Sequence, residues 1–373
     1  MLETCGWTRW RLIAAAAAVV LGGTLRGAGA QGTPVATPVA DASAFPVTIS
    51  HDFGETTIPA LPERIVITNQ GEGLDSLLAL GVLPVGMVRG RAYIEGLAPW
   101  AIAAGAEEIP EIPGTAEGEL DFEAITAARP DLILTSWPDD TTYQTLSSIA
   151  PTLVFKNSDA STWQDVQRMI GEATGRAAQA EQVIAGTESL MASQEERLRP
   201  YLGEQVAVAY FWFDQFLVNG QDAPIGRILA AYGMDVISPG TAAPGEIDML
   251  SLEQINAVAD ADIIIAPDFL PDQTAEQEAN ALFRALPAVQ NGGYMVLSPE
   301  MAQALYIESA LSMQWGVPRL VDAVIEGAGG KGKRLDQDSL SWGTPDAARK
   351  RGLTTDARWR DVFPAIQDVI WRA

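Results

Sequence analysis

Four loops carry the side chains best suited to chemistry in this chain, and that chemistry is the holding of a molecule. Asn69 and Gln70 follow the apolar stretch 64–68, and Arg89, Arg91 and Tyr93 follow 84–88. Trp137 follows 131–135, and Phe211, Trp212 and Phe213 follow 206–210, while Tyr306 lies on a later helical stretch. Aromatic rings stack on and bury a large, partly planar organic molecule. Guanidinium groups donate charge-assisted hydrogen bonds to its anionic oxygens. Two arginines in one loop ask for an explanation in a chain of net charge −24. The plainer alternatives stay open at this level: Trp137 and Trp212 as core residues, Arg89 and Arg91 as a solvated loop.

Other chemistries lack material. His51 is the one histidine and Cys5 the one cysteine, so a zinc, manganese or copper site built from imidazole and thiolate clusters is not expected. Nor is a disulfide framework. His51 sits in a hairpin and reads as structural. Gly71-Glu72-Gly73-Leu74-Asp75-Ser76 has two glycines of a dinucleotide fingerprint but Ser76 where the third belongs. Residues 327–334 have P-loop spacing, yet Arg334 stands where Ser or Thr must ligate magnesium, and the segment follows a helix. Both read as turns. No serine lies in a Gly-x-Ser-x-Gly elbow, so no catalytic residues, resident metal or cofactor are expected. The acidic balance repels nucleic acid.

Those loops need a scaffold. Arg9 and Arg11, an apolar run over 12–25 and Ala28-Gly29-Ala30 have the order of a secretory signal peptide over 1–30, short for a membrane span. An uncleaved anchor is the alternative. Cleavage would remove three arginines and one glutamate, taking the charge to about −26. Cys5 precedes the apolar run, so it is not placed as a lipoprotein cysteine. Residues 31–44 read as a flexible leader. From 45 to 160, short apolar strands alternate with helices, the signature of an α/β lobe with a parallel sheet. Residues 161–201 keep helical spacing as one connecting helix. A second lobe, 202–326, repeats the plan: Asp121-Phe122-Glu123-Ala124-Ile125 has its counterpart in Ser251-Leu252-Glu253-Gln254-Ile255. Residues 327–373 form an extension whose three tryptophans make it too apolar for a disordered tail.

Taken in order, several motifs resemble the siderophore- and cobalamin-type substrate-binding proteins of ABC importers. They are His51-Asp52-Phe53-Gly54, Pro62-Glu63-Arg64-Ile65-Val66, Leu77-Leu78-Ala79-Leu80-Gly81-Val82, Arg129-Pro130-Asp131-Leu132-Ile133-Leu134, Ile149-Ala150-Pro151-Thr152 and Leu286-Pro287-Ala288-Val289. The resemblance covers roughly residues 45–326. It implies two Rossmann-like lobes bridged by a single long α-helix, with ligand held in the cleft between them. It implies a ferric siderophore or related chelate as ligand, cobalamin or haem as alternatives, and ABC permease subunits as partners. The protein would be exported, periplasmic or extracellular, and monomeric. A ligand sensor working without a transporter is the rival reading. In open α/β sheets ligands sit beyond the carboxyl ends of the strands, which selects Asn69, Gln70, Arg89, Arg91, Tyr93, Trp137, Trp212 and Tyr306 as ligand-binding residues. Glu123 and Glu253 match the positions of the family's transporter-docking glutamates. Acidic residues in a helix's first turn are also favoured by its dipole alone.

Overall fold

Short β-branched runs set the layout. The computed structural model describes residues 40–88, 96–114, 119–156, 161–243, 245–269 and 271–335. In the first lobe five parallel strands lie in the order Glu111–Ile112, Gly86–Val88, Ile65–Ile67, Leu132–Ser136 and Thr152–Lys156. Ile65, Val66 and Ile67 are all buried because helices cover both faces, so the strand reads as an unbroken apolar run. Ile67 packs with Leu74 and Leu77 of helix Glu72–Ala79 on one face. Val66 packs with Ile125 and Leu146 on the other.

The second sheet joins Gln205–Trp212, Asp235–Val236, Ile263–Pro267 and Tyr294–Leu297 in parallel. Unlike the first, it is mixed, since Gln215–Asn219 and Asp248–Ser251 run antiparallel at one edge. The cause is the two-residue turn Phe213-Asp214, which pairs Trp212 with Gln215. A loop that short can return the chain only antiparallel.

Three expected boundaries move. The segment 161–201 holds two helices, Trp163–Ala173 and Ala177–Leu198, of which the second is the single long bridging helix. Gly175 breaks them in the left-handed region at φ +64°. Its carbonyl accepts from Asp41 N–H at 2.8 Å. That bond also moves the expected leader boundary at 44, because residues 41–44 are ordered: Asp41 caps the turn Ala42–Ala44 through Ser43 N–H. The 22-residue second helix carries the chain between lobes, a span of about 33 Å. Finally, the boundary at 326 falls inside helix Ala310–Ala328, after which Gly332 and Lys333 N–H donate to Gly292 and Tyr294 carbonyls at 2.7 Å. Residues 336–373 and 1–39 lie outside the described residues.

Helix Ala310–Ala328 belongs to both lobes. Leu311 and Trp315 pack against the first core, while Gly327 lies against Ile263 and Met295 of the second sheet. It runs beside Ala177–Leu198, where Ile184 meets Trp163 and Ala310, and Gln314 Nε2 donates to Thr187 Oγ1 at 2.8 Å. Among the described residues no helix is long and apolar enough to cross a membrane.

The hairpin Val47–His51 and Gly54–Ile58 is pinned to the first sheet by Thr56 Oγ1–H, which donates to Thr152 O at 2.6 Å. His51 Nδ1 accepts from Phe53 N–H at 3.2 Å, so the proton sits on Nε2, 2.8 Å from Thr56 Oγ1. The histidine is structural, as its position in the hairpin suggests.

Two outcomes test this frame. Ile184→Ala leaves a hole where three helices meet and should cost about 2–5 kcal/mol, seen as a lower denaturation midpoint at unchanged slope. Burial lowers the His51 pKa below its ordinary 6.5. A depressed histidine contributes stability that is present above the unfolded value and lost as pH falls through the folded one. NMR should therefore find His51 titrating below 6.5, with its share of stability fading at acid pH and that fading absent from His51→Gln.

Candidate functional site

The carboxyl ends of both sheets meet at one place. Strand Ile65–Ile67 leads through Asn69 and Gln70 to Gly71, where an added Cβ would lie 3.9 Å from Ile307 Cδ1 of helix Pro299–Ile307. Ile307 is a residue of the second half that packs on the first core. At this junction the two halves touch, and the candidate residues lie on either side of it.

The first wall is polar with one aromatic. Thr68 Oγ1–H donates to Thr135 Oγ1 at 2.8 Å, and the amide of Asn69 donates to Ser136 Oγ. Asn69 Oδ1 is buried without a hydrogen bond; an acceptor so placed favours a donor brought to it. Gln70 is half-buried beside it. The register shifts between Thr135 and Ser136, putting Ser136 opposite Lys156. Lys156 Nζ pairs with Glu72 Oε1 at 2.5 Å. Trp137 leaves the strand at φ +50° and stays 48% exposed, so it is not a core residue. A bulky side chain in the left-handed region marks a position held by its surroundings; here Trp137 N–H donates to Lys156 O at 2.9 Å.

The second wall is aromatic. Tyr210, Phe269 and Tyr306 meet edge to face, with ring centroids 5.6 Å and 4.9 Å apart along that series. Asn219 Nδ2–H donates to Tyr306 Oη at 2.5 Å, and the Tyr210 hydroxyl lies 3.5 Å from that of Tyr306. Trp212 is half-buried against the second core and meets Phe213 edge to face at 5.5 Å. Phe213 mirrors Trp137: it is 49% exposed, at φ +54°, with its N–H held by Gln273 Oε1 at 2.5 Å. Below it, Arg227 pairs with Glu308 at 2.5 Å.

The structure thus brings Asn69, Gln70 and Trp137 to one wall and Trp212 and Tyr306 to the other. Arg89, Arg91 and Tyr93 lie outside the described residues. Sequence reading missed Lys156, Arg227, Tyr210, Phe269 and Asn219, each of which sits inside or just past a strand or at a helix start without a local motif. It also passed over Asp75, although an acid within Leu74-Asp75-Ser76-Leu77-Leu78 was visible in the apolar run. Its carboxylate is 2% exposed and accepts at Oδ2 from Trp100 Nε1–H at 2.7 Å and from Ser309 Oγ–H at 2.5 Å.

Glu123 and Glu253 are both exposed and first-turn residues. Asp121 Oδ1 caps the first helix by accepting from Ala124 N–H at 2.9 Å. Glu253 lies in a 3₁₀ helix, Leu252–Val258, where Gln254 Oε1 accepts from Ser251 N–H at 3.0 Å. A cavity of about 480 Å³ lies elsewhere, at the edge strand Tyr294–Leu297. Within its lining Lys333 and Glu278 pair with each other, beside Asp268 and Lys331. Among the described residues no group of three or more His, Cys, Asp or Glu is placed to hold a metal ion.

Against known proteins, a family model described as "Periplasmic binding protein" matches residues 99–300. A Bacillus subtilis protein named "Probable siderophore-binding lipoprotein" is 30% identical over 192 residues, which is 50% of this chain and 56% of that one. The ferric enterobactin-binding periplasmic protein of Escherichia coli is 28% identical over 281 residues, 69% of this chain and 86% of its own. Among solved structures, the iron uptake ABC transporter substrate-binding protein PiaA of Streptococcus pneumoniae superposes with a TM-score of 0.58 at 25% identity. That match covers 76% of this chain and 100% of PiaA.

Proposed function

The chain belongs to the periplasmic binding protein family, and from that premise we propose that it captures a ferric siderophore or similar chelate between its lobes and hands it to an ABC permease. It does so outside the cytoplasm, as a monomer and without catalysing a reaction. The observation that carries this reading is the unequal pair of walls. The ring series Tyr210, Phe269 and Tyr306 offers apolar surface with phenol groups, opposite hydrogen-bonding groups and the exposed ring of Trp137. Such a cleft suits a bulky organic ligand whose metal is already wrapped. The sequence supplies one histidine, too few for a cage around a bare ion. Arg89, Arg91 and Tyr93 complete the rim in this reading, with the arginines meeting the chelate's anionic oxygens. The names of the relatives point the same way.

Tryptophan emission tests the ligand class. Ferric hydroxamates, catecholates, citrate, haem and cobalamin are titrated in turn, and at least one ferric chelate should quench Trp137 and Trp212 in a saturable way. The quench should shrink in Trp137→Phe. Response to free zinc or manganese alone, with none to any chelate, would contradict the assignment, and response to haem or cobalamin alone would move it to that ligand.

Glu123 and Glu253 are the docking residues in this reading, one acid per lobe for a basic pocket on each half of a permease. Contacts of this kind act mainly on association and weaken with salt. Reversing both to Arg should abolish uptake by cells while chelate affinity in solution stays nearly unchanged. Normal transport by the double variant, or failure traced to lost chelate binding, would remove that role.

A further inference from the structure

One buried carboxylate joins the lobes at the corner that builds the aromatic wall. Helix Pro299–Ile307 carries Tyr306 and ends at Glu308, which turns the chain at φ +51° and pairs with Arg227. The next residue, Ser309, starts helix Ala310–Ala328 by accepting from Ser312 N–H at Oγ, 3.0 Å away. The same Oγ–H donates to Asp75, a residue of the other lobe 234 positions earlier in the chain. Trp100, whose indole supplies Asp75 with its second donor, packs at a tilt against Trp315 of that same helix, ring centroids 5.5 Å apart. The corner is therefore gripped from the first lobe through one acid.

We propose that Asp75 is a positioning residue for the cleft wall: it holds the Tyr306–Ser309 corner firmly while protonated and lets it open more readily once ionised. The inference rests on the cleft being the binding site. Its physical basis is that both hydrogen-bond donors to Asp75 are neutral and no cation contacts it among the described residues. Lys156 is committed to Glu72, whose negative charge works against ionisation of Asp75. On the helices packed around it, Arg168 pairs with Glu181 and Asp165, Arg319 lies over the Trp315 ring, Asp322 pairs with Arg197 and Glu308 with Arg227, while Glu172 and Glu326 add further negative charge. Helix Pro99–Ala103 brings no titratable group. Burial pushes the Asp75 pKa up to about 7, against the pull of the Ser309 and Trp100 hydrogen bonds.

Linkage fixes the sign. An opening that wets Asp75 returns it towards the ordinary carboxylate value, so the open state sheds a proton that the closed state keeps. The closed corner is favoured below the ordinary value, and the advantage is lost as pH rises to about 7. The opening constant should grow by up to about tenfold per pH unit over that window and level off above it.

Amide exchange by mass spectrometry on the full, ligand-free chain reads this directly. The segment 304–312 is followed from pH 5 to 8.5, corrected for intrinsic exchange, with the core strand Ile263–Pro267 as reference for global unfolding. In the parent the corner should open more as pH rises and reach a plateau above 7. In Asp75→Asn, which keeps the acceptor and removes the titration, it should be flat with pH. In Ser309→Ala the corner should exchange faster at every pH. A corner as flat with pH as the Asn variant, or a pH slope carried only by the reference strand, would overturn the proposal. If the Asn variant does not fold, unchanged corner exchange in Ser309→Ala would overturn it equally. Because no ligand enters the measurement, a negative result leaves the chelate reading standing, and a chelate failure leaves this result standing.

Discussion

The packing of helix Ala310–Ala328 against helix Ala177–Leu198 fixes one lobe against the other, and the cleft exists because of it. Met313, Val317, Leu320, Val321 and Val324 are fully buried along one face. The contact is sealed at its polar edge by Gln314 on Thr187, and further along by Arg197 on Asp322 at 2.5 Å. The exposed ion pair adds little stability; the apolar seam carries the load. Two helices clamped in this way resist the wide hinge motion that a single flexible linker would allow. A fixed arrangement of the lobes is what a largely pre-formed ligand site requires.

Among the described residues five non-glycine positions are left-handed, Arg129, Trp137, Phe213, Ile225 and Glu308. Trp137 and Phe213 each hold a large ring at positive φ, one on each lobe, and each has its N–H tied down by a neighbouring carbonyl or amide oxygen. Glu308 is also left-handed, at the turn between helices Pro299–Ile307 and Ala310–Ala328, where its carboxylate pairs with Arg227. Left-handed conformations of non-glycine residues cost about 1–3 kcal/mol each and persist where the surroundings over-determine them. For Trp137 and Phe213 the restraint is local, the bonds to Lys156 O and Gln273 Oε1.

The α/β plan was legible because its signals are local. Buried parallel strands read as apolar runs, helix Asp140–Ile149 begins after a capping aspartate, and glycines end helices where the chain must turn. What stayed hidden depends on contacts distant in sequence. Nothing near Gly175 announces that Asp41 will bond its carbonyl, so two helices read as one. The antiparallel edge of the second sheet turns on a two-residue loop rich in neither Gly nor Asn. Loop position singled out Trp137 and Trp212 in the sequence, and a helical stretch supplied Tyr306. Tyr210 and Phe269 look like ordinary core residues until helix Pro299–Ile307 folds over them. Asp75 could be flagged as an acid in an apolar stretch, but its partner lies in the other half of the chain.

A wrapped ferric ion is expected between two unlike walls. Crystals grown with the tightest-binding ferric chelate, measured on both sides of the iron absorption edge, locate that ion without reference to any assumed pose. The prediction is a single anomalous peak in the cleft, at the Gly71–Ile307 junction, with the chelate's organic frame against Tyr306 on one side and Asn69 and Trp137 on the other. An iron peak on the outer surface, at the cavity beside Tyr294, or coordinated directly by protein carboxylates would contradict the account.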